Sequence, residues 1–225
     1  MFIDLSHEFY DGMPGFKYKN EDGTVTPFNV SIKPFLTHEQ TRPRYQDKAE
    51  FELTDFHFNG SMGTYLDSPY HRWKERRDVG ALALDDVILE GVRIDAPEAM
   101  ERVAWDAVPS GLDVRGKAVL FHFGWDKFWD KPQYDLYPFL GKPVVEWLIA
   151  GGAKLVGVDT LNIDDTRDPE RPTHSRLLEK DILIVENLRG LDALGGKAFR
   201  FFAVPLRARG AAAIPVRAFA QVDEV

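Results

Sequence analysis

The chain has 225 residues, of which 44% are hydrophobic and 28% are charged, which is typical of one globular domain or at most two small ones. This composition excludes collagen, coiled coil and intrinsic disorder, and the absence of cysteine excludes disulfides, zinc–thiolate sites, iron–sulfur clusters and cysteine nucleophiles. The 28 basic and 36 acidic residues give a net charge of −8, which is a poor match for the phosphate backbone of a nucleic acid.

The sequence predicts a cytoplasmic protein with neither a membrane nor a nucleic-acid partner. The segment Met1–His7 lacks the basic stretch and apolar core of a secretory signal. No stretch approaches the ~20 apolar residues that a membrane-spanning helix requires.

The first half of the chain is expected to be rich in β-strands. Pro14–Pro43 contains four prolines among many polar residues and is predicted to be an irregular arm. Phe51–Phe58 is rich in aromatic residues and is predicted to be a strand. A further strand is predicted over Val87–Asp95, with an interruption at Gly91.

The second half alternates between strand and helix patterns. Lys117–Phe123 is nearly all apolar, as is typical of a buried strand, and strands are also predicted over Leu155–Asp159 and Asp181–Glu186. Pro143–Ala150 is predicted to be a short helix, with a proline in its first turn and glycines after its end. This alternation indicates an α/β protein.

A dense group of polar residues lies between Gly60 and Trp73. Within it, Asp67 and His71 are four residues apart, and Pro69 prevents a regular helix between them. A carboxylate and an imidazole on a rigid turn can bind a metal or act as a base and its orienting partner. The alternative, which the residues alone leave open, is that Asp67 caps a turn and His71 is simply exposed.

A second group of candidate residues lies far along the chain. His174 closes an aspartate-rich loop that contains Asp164, and Glu186 ends an apolar strand. A carboxylate at the end of a buried strand is costly to desolvate unless it is paired or bound to a metal. Taken alone, the pattern favours an ion pair of Glu186 with Arg189 or Arg176 over a metal.

Two aromatic residues, Phe123 and Trp125, are predicted to line an apolar pocket for a flat substrate, because they lie next to loops. The phosphate-binding loop, the dinucleotide-binding glycines, the G-x-S-x-G elbow and the H-E-x-x-H zinc motif are all missing from the sequence.

Taken in order, these motifs resemble the cyclase family of metal-dependent hydrolases, which includes bacterial kynurenine formamidase and isatin hydrolase. Gly63–His71 falls on the family signature H-x-G-T-H-x-D-x-P-x-H, and His174 and Glu186 match its distal metal pair. Asp4–His7 and Pro215–Ala218 are similar to its opening and closing motifs.

The resemblance implies a compact β/β/α fold with a mixed sheet core, one domain over residues 1–225, and a homodimer or tetramer. It also implies that Asp67, His174 and Glu186 hold one divalent metal, zinc or manganese, while His71 acts as the catalytic acid or base. In such a site the metal activates a water that attacks the carbonyl of an amide, imide or lactone in a small-molecule substrate.

The chain departs from the signature at two positions, because the family's two histidine ligands fall on Ser61 and Tyr65. Serine and tyrosine hydroxyls are weak zinc ligands, and a phenol would have to ionise from a pKa of ~10 to bind well. Tyr65 is therefore predicted to donate a hydrogen bond to the substrate, and Ser61 to contact the substrate.

Three functions follow from this mixture of matches and departures. The prediction is a metal-dependent hydrolase of an aryl formamide, a cyclic amide or a lactone with an altered site. The alternatives are a metal-free protein that binds a small molecule without turnover, and a metal-free lyase or isomerase that uses His71 and Tyr65.

Overall fold

A computed structural model of the protein describes residues 1–96 and 104–223. Within these ranges the strands are β1 Phe2–Asp4, β2 Pro14–Lys19, β3 Val25–Asn29, β4 Ser31–Leu36, β5 Leu53–His57, β6 Tyr65–Asp67, β7 Ile88–Asp95, β8 Ala104–Trp105, β9 Ala118–His122, β10 Phe139–Leu140, β11 Leu155–Val158, β12 Leu183–Glu186, β13 Phe199–Phe202, β14 Ala213–Pro215 and β15 Phe219–Val222. The α-helices are α1 His38–Thr41, α2 Leu84–Val87, α3 Lys142–Gly151 and α4 Pro172–Glu179. Short 3₁₀-helices span Arg42–Tyr45, Pro69–His71, Val79–Ala81, Asp126–Phe128, Pro132–Leu136 and Leu191–Leu194.

One mixed sheet of nine strands organises the described chain, in the order β1-β15-β13-β7-β9-β11-β12-β6-β14. Strands β7, β9, β11 and β12 are parallel to one another, and the strands on either side of them pair antiparallel. The remaining strands form three two-stranded sheets, β2 with β3, β4 with β5, and β8 with β10. The prediction of an α/β fold with a mixed sheet core is therefore confirmed.

The two faces of this sheet bury separate apolar cores, because successive side chains of a strand point to opposite faces. Leu66, Leu120 and Val185 belong to the core on one face. Ile184 belongs to the core on the other face, where Leu177 of α4 packs against it. Helix α4 is thus held against the face that also receives every second residue of β6 and β12.

The predicted strands over residues 51–58, 87–95, 117–123, 155–159 and 181–186 are present as β5, β7, β9, β11 and β12. The predicted helix is α3, which has a proline in its first turn and ends at Gly152 with a φ of 75°. Among these segments, β9, β11 and β12 show the clearest sequence patterns, because they are buried on both faces of the sheet and form nearly continuous apolar runs.

The prediction of an irregular arm over Pro14–Pro43 is wrong. Strands β2 and β3 form an antiparallel pair, and β4 pairs with β5. Two of the prolines, Pro27 and Pro34, lie within β3 and β4. In a two-stranded sheet each strand has an unpaired edge, where the missing N–H of a proline costs no ladder hydrogen bond.

The predicted interruption at Gly91 is also wrong, since β7 runs through it. Gly91 lies opposite Phe199 of β13. A Cβ at position 91 would lie 1.9 Å from a carbon of the Phe199 ring, so the glycine makes room for this ring and does not break the strand.

Across residues 1–96 and 104–223, every helix is too short or too polar to cross a lipid bilayer.

Candidate metal centre

The sheet register brings the first and the distal candidate residues together. Tyr65 of β6 is paired directly with Glu186 of β12, so the two side chains are neighbours on one face. Asp67 lies two residues further along β6 and therefore points to the same face. His174 lies in the first turn of α4, which packs on this face.

Asp67 is the residue that faces both imidazoles of the centre. It is fully buried, and among the described residues neither of its carboxylate oxygens has a hydrogen-bond partner. His71 Nδ1 lies 3.5 Å from Asp67 Oδ1, and His174 Nε2 lies 3.7 Å from Asp67 Oδ2. One ligand atom from each of these three residues lies within 4.8 Å of the other two. Asp67 therefore faces two imidazoles and does not cap a turn.

Glu186 is buried beside this group, and its oxygens are already hydrogen-bonded. Oε2 accepts a short hydrogen bond from the Tyr65 hydroxyl and one of 3.3 Å from the Asn162 side chain. Oε1 accepts from the Ile163 backbone N–H at 2.7 Å and lies 3.5 Å from His174 Nε2. Glu186 is thus paired with neutral donors, and the expected alternative partner Arg176 binds Glu146 and Glu179 instead.

Asp164 is a functional residue to which the sequence analysis assigns no role. Its Oδ2 lies 2.7 Å from His174 Nδ1, and its carboxylate also accepts from the backbone N–H groups of Thr173 and His174 at the start of α4. Because a carboxylate only accepts, Nδ1 of His174 carries the proton and Nε2 is directed toward Asp67. The sequence signal that could have revealed Asp164 is Pro172. A proline is typical of a first helical turn, and the free N–H groups of that turn need a hydrogen-bond acceptor nearby.

The negative groups around His174 control its charge. Burial disfavours the imidazolium, but the carboxylates of Glu186, Asp164 and Asp67 outweigh it and raise the pKa of His174 to about 9. The hydrogen bond and charge of His174 outweigh burial at Asp164 and lower its pKa to about 2.

Burial dominates at the Tyr65–Glu186 pair. Burial, together with the charges of Glu186 and Asp67, raises the pKa of the Tyr65 phenol well above its usual value. Burial also raises the pKa of Glu186. Tyr65 is therefore a neutral hydrogen-bond donor to Glu186 and is poorly suited to bind a metal as a phenolate.

His71 differs from the other members in being partly open to solvent, with 32% of its side chain exposed. The charge of Asp67 favours its protonation, but burial and neighbouring positive groups outweigh that charge and lower its pKa. His71 is accordingly a neutral imidazole at pH 7, which is the form that binds a metal or accepts a proton.

A divalent cation fits the donor set of Asp67, His71 and His174. The Asp67 oxygens accept no hydrogen bond from the described residues and are therefore free to bind a cation. Without a cation, the charge of the nearby His174 imidazolium balances that of Asp67, and His174 would release a proton on binding one. Two imidazoles and one carboxylate, with one side open to solvent, are the ligand pattern of catalytic zinc sites. Glu186, the third predicted ligand, lies next to this set, and its role as a ligand stays a prediction.

The surroundings of the three predicted substrate-contacting residues are as follows. Phe123 and Trp125 are buried in the core on the α4 face, and the Trp125 indole donates to the Tyr134 carbonyl oxygen. Ser61 is half-buried, and its backbone N–H donates to Asn59. Their contact with a substrate stays a prediction.

Comparisons with known proteins show which family and which fold the chain resembles. Residues 3–165 match the family model described as "Putative cyclase". An uncharacterized protein of Methanocaldococcus jannaschii is 28% identical over 176 residues, covering 76% of this chain and 83% of that protein. A kynurenine formamidase of Erythrobacter litoralis is 30% identical over 146 residues, covering 64% and 65% of the two chains. Isatin hydrolase A from Ralstonia solanacearum superposes with a TM-score of 0.81 at 21% identity, covering 99% of this chain and 92% of that one.

The fold and the site thus define a mixed α/β protein with a buried carboxylate–imidazole centre on one face of its sheet. The chain belongs to the cyclase family.

Proposed function

We propose that the protein is a metal-dependent hydrolase that cleaves the carbonyl–nitrogen or carbonyl–oxygen bond of an aryl formamide, a cyclic amide or a lactone. The observation that supports this most directly is the buried carboxylate of Asp67, which faces two imidazoles and has no hydrogen-bond partner in the part of the chain that the structure describes. The names of the relatives, kynurenine formamidase and isatin hydrolase, support the substrate classes.

Asp67, His71 and His174 would hold the ion. Zinc or manganese bound there would polarise the substrate carbonyl and lower the pKa of a water. Asp164 keeps the His174 ring oriented through Nδ1. Tyr65 and Ile163 hold the Glu186 carboxylate in place beside it. A substrate would approach past His71, the member with the largest exposed fraction of the three.

His71 is assigned to the ion because its Nδ1 lies 3.5 Å from Asp67 Oδ1, and one of its ring nitrogens lies within 4.8 Å of a ligand atom of His174. The competing role, predicted from the family resemblance, is proton transfer. His71→Gln separates the two roles: a ligand role predicts that the variant loses the bound ion, whereas a proton-transfer role predicts that it keeps the ion and loses kcat. His57→Gln is the matched control, since His57 is an exposed histidine on β5.

The test of the function is hydrolysis by chelator-treated protein reconstituted with zinc or manganese. Formanilide and a simple aryl lactone serve as substrates. We expect turnover only after reconstitution, and none in Asp67→Asn. Turnover that persists without a metal, or a reconstituted protein that cleaves neither substrate class, would refute the proposal.

A metal-free binding protein on the same scaffold is the second candidate. It is favoured by one observation: Glu186 and His174 already have hydrogen-bond partners in the chain, in Tyr65 and Asp164. This candidate predicts ligand binding without a metal and without turnover. The lyase or isomerase alternative is less well supported, because the Tyr65 hydroxyl that it needs is buried and donates to Glu186.

A further inference from the structure

His71 differs from His174 in having no side-chain partner that fixes its ring. It ends the 3₁₀-helix Pro69–His71, and its Nδ1 lies 3.5 Å from Asp67 Oδ1 without forming a hydrogen bond. His174, by contrast, is held by Asp164 through Nδ1. The position of the His71 ring therefore depends on how the turn around it is attached to the rest of the protein.

The turn formed by Pro69–Arg77 contacts the α4 region at two points. Nε1 of the Trp73 indole donates a hydrogen bond of 3.1 Å to the backbone carbonyl oxygen of Ser175. The Arg77 guanidinium donates to the Asp181 carboxylate from Nε at 3.2 Å and from Nη2 at 2.7 Å. Ser175 lies within α4, and Asp181 lies two residues beyond its end. The turn is therefore bound near both ends of this helix.

Hydrogen bonds within the turn connect Trp73 to His71. The Tyr70 N–H donates to the Arg77 carbonyl oxygen at 2.9 Å and closes the turn. The Trp73 N–H donates to the Pro69 carbonyl oxygen at 3.0 Å, so the backbone on the two sides of His71 is joined. Because of these bonds, a shift of the Trp73 indole away from its acceptor would also move His71, which is two residues away.

The Trp73 hydrogen bond lies close to both candidate imidazole ligands along the chain. Trp73 is two residues from His71, and its acceptor Ser175 directly follows His174. The two imidazole rings are 5.8 Å apart between their centroids and are tilted by 43°. A single hydrogen bond thus connects the two segments from which these rings extend.

Ring burial alone does not explain a tryptophan at this place, because 40% of Trp73 is exposed. The indole N–H is the polar part of the side chain, and here it has a defined acceptor. The other contact is less specific to the centre. Arg77 is six residues from His71 and also donates to Asp86 at 2.7 Å, so it connects further parts of the fold.

We propose that Trp73 is a positioning residue: its hydrogen bond to the Ser175 carbonyl oxygen sets the separation of His71 and His174, and through it the affinity of the centre for a divalent ion. The effect on the ion rests on the proposed function, whereas the placement of His71 does not. Ligands that are held in place before the ion arrives lose less conformational freedom on binding it, so the ion binds more tightly.

Two variants separate the hydrogen bond from the ring. Trp73→Phe keeps an aromatic ring and removes the donor, whereas Trp73→Gln removes the ring and keeps an N–H donor of similar reach. Competition with a chromophoric chelator measures zinc affinity. We expect Trp73→Phe to bind zinc about three- to tenfold more weakly, and Trp73→Gln to stay within about twofold of the wild type. Trp147→Phe, at a half-buried tryptophan of α3, is the matched control and should change nothing.

Cobalt(II) bound in place of zinc gives a readout that a merely structural hydrogen bond would not change. Its visible absorption reports the number and geometry of the ligands. We expect Trp73→Phe to alter the intensity of these bands and Trp73→Gln to retain the wild-type spectrum. A Trp73→Phe variant with a lower melting temperature but unchanged affinity and spectrum would overturn the proposal. Affinity that is lost in Trp73→Gln would overturn it as well, because the ring would then be responsible.

Turnover distinguishes this inference from the proposed function. If zinc binds and depends on Trp73 as expected, but neither formanilide nor the lactone is cleaved, the hydrolase is refuted and the positioning role is upheld. If both are cleaved and Trp73→Phe binds zinc as the wild type does, the reverse holds. If the wild type binds no ion, the hydrolase is refuted, and crystal structures of the metal-free proteins test the placement of His71. His71 should then move away from Asp67 in Trp73→Phe only, and an unmoved ring would overturn the inference.

Discussion

Single side chains in the centre differ in how completely their polar atoms are satisfied. Glu186 has three hydrogen-bond donors, and His174 has Asp164, whereas Asp67 has none. A buried carboxylate that accepts no hydrogen bond is costly, so we expect a cation to contribute most at Asp67.

Asp164 is expected to tune the metal affinity without touching the metal. In Asp164→Asn the neutral amide replaces the carboxylate that holds His174 Nδ1, so the ring is oriented less firmly and is a weaker donor. We expect metal affinity to fall by about 10–100-fold, measured by competition with a chromophoric chelator. Asp168→Asn, in the same loop, is the control, and equal affinities in the two variants would show that Asp164 has no such role.

At the scale of strands and helices, the site depends on two geometric facts. The first is the antiparallel register that pairs Tyr65 with Glu186 and turns Asp67 to the same face. The second is the packing of α4 on that face, which delivers His174. Neither element is long, so the buried sheet around them determines their positions.

The sequence predicted the central strands and α3 because long apolar runs and clear helix boundaries depend only on local chemistry. It did not predict β1, β13, β14 and β15, and it placed His174 at the end of a loop although it lies in α4. The helix is short and mostly polar, and its apolar residues Leu177 and Leu178 pack against the sheet. Tertiary packing, which no local pattern reports, stabilises such an element.

The site was predicted in the same uneven way. Asp67, His71, His174 and Glu186 were identified from the family resemblance, and the structure brings them together. The role of Asp164 depends on how its loop folds back onto the start of α4, which the sequence pattern does not show. That Tyr65 donates to Glu186 likewise depends on the strand register.

Gly91→Ala tests the packing of the central sheet. The new methyl group would overlap the Phe199 ring, so β7 and β13 would have to shift. We expect a loss of about 1–3 kcal/mol in the free energy of unfolding, measured by urea denaturation. Adding Phe199→Leu removes the overlapping ring and should make the glycine substitution less costly. A Gly91→Ala variant as stable as the wild type would show that the ring moves freely.

At the scale of the whole molecule, strands that are distant in the sequence pair with each other at both edges of the nine-stranded sheet. Strand β1 pairs with β15, so the first strand is paired with the last one described. Next to β1, His7 stacks on Trp129 with ring centroids 3.8 Å apart, and its buried Nε2 has no hydrogen-bond partner within residues 1–96 and 104–223. Burial and the charge of Arg189 lower the pKa of His7 to about 4.

The low pKa of His7 makes stability depend on pH. Unfolded His7 would take up a proton near pH 6.5, whereas the folded protein resists until about pH 4, so stability is lost as pH falls through this window. By linkage, His7 alone should cost about 2 kcal/mol between pH 8 and pH 5. His7→Phe keeps an aromatic ring on Trp129 and should lose less stability over the same range, measured by urea denaturation at both pH values. Parallel losses in the two proteins would show that His7 is not responsible.

The most direct measurement is a calorimetric titration of metal-depleted protein with zinc or manganese, repeated on Asp67→Asn. The substitution keeps the size of the side chain and removes its charge. We predict that the wild type binds one ion per chain and that Asp67→Asn binds it at least about tenfold more weakly. A wild type that binds neither ion, or an Asp67→Asn variant that binds as tightly as the wild type, would contradict a metal centre built on Asp67.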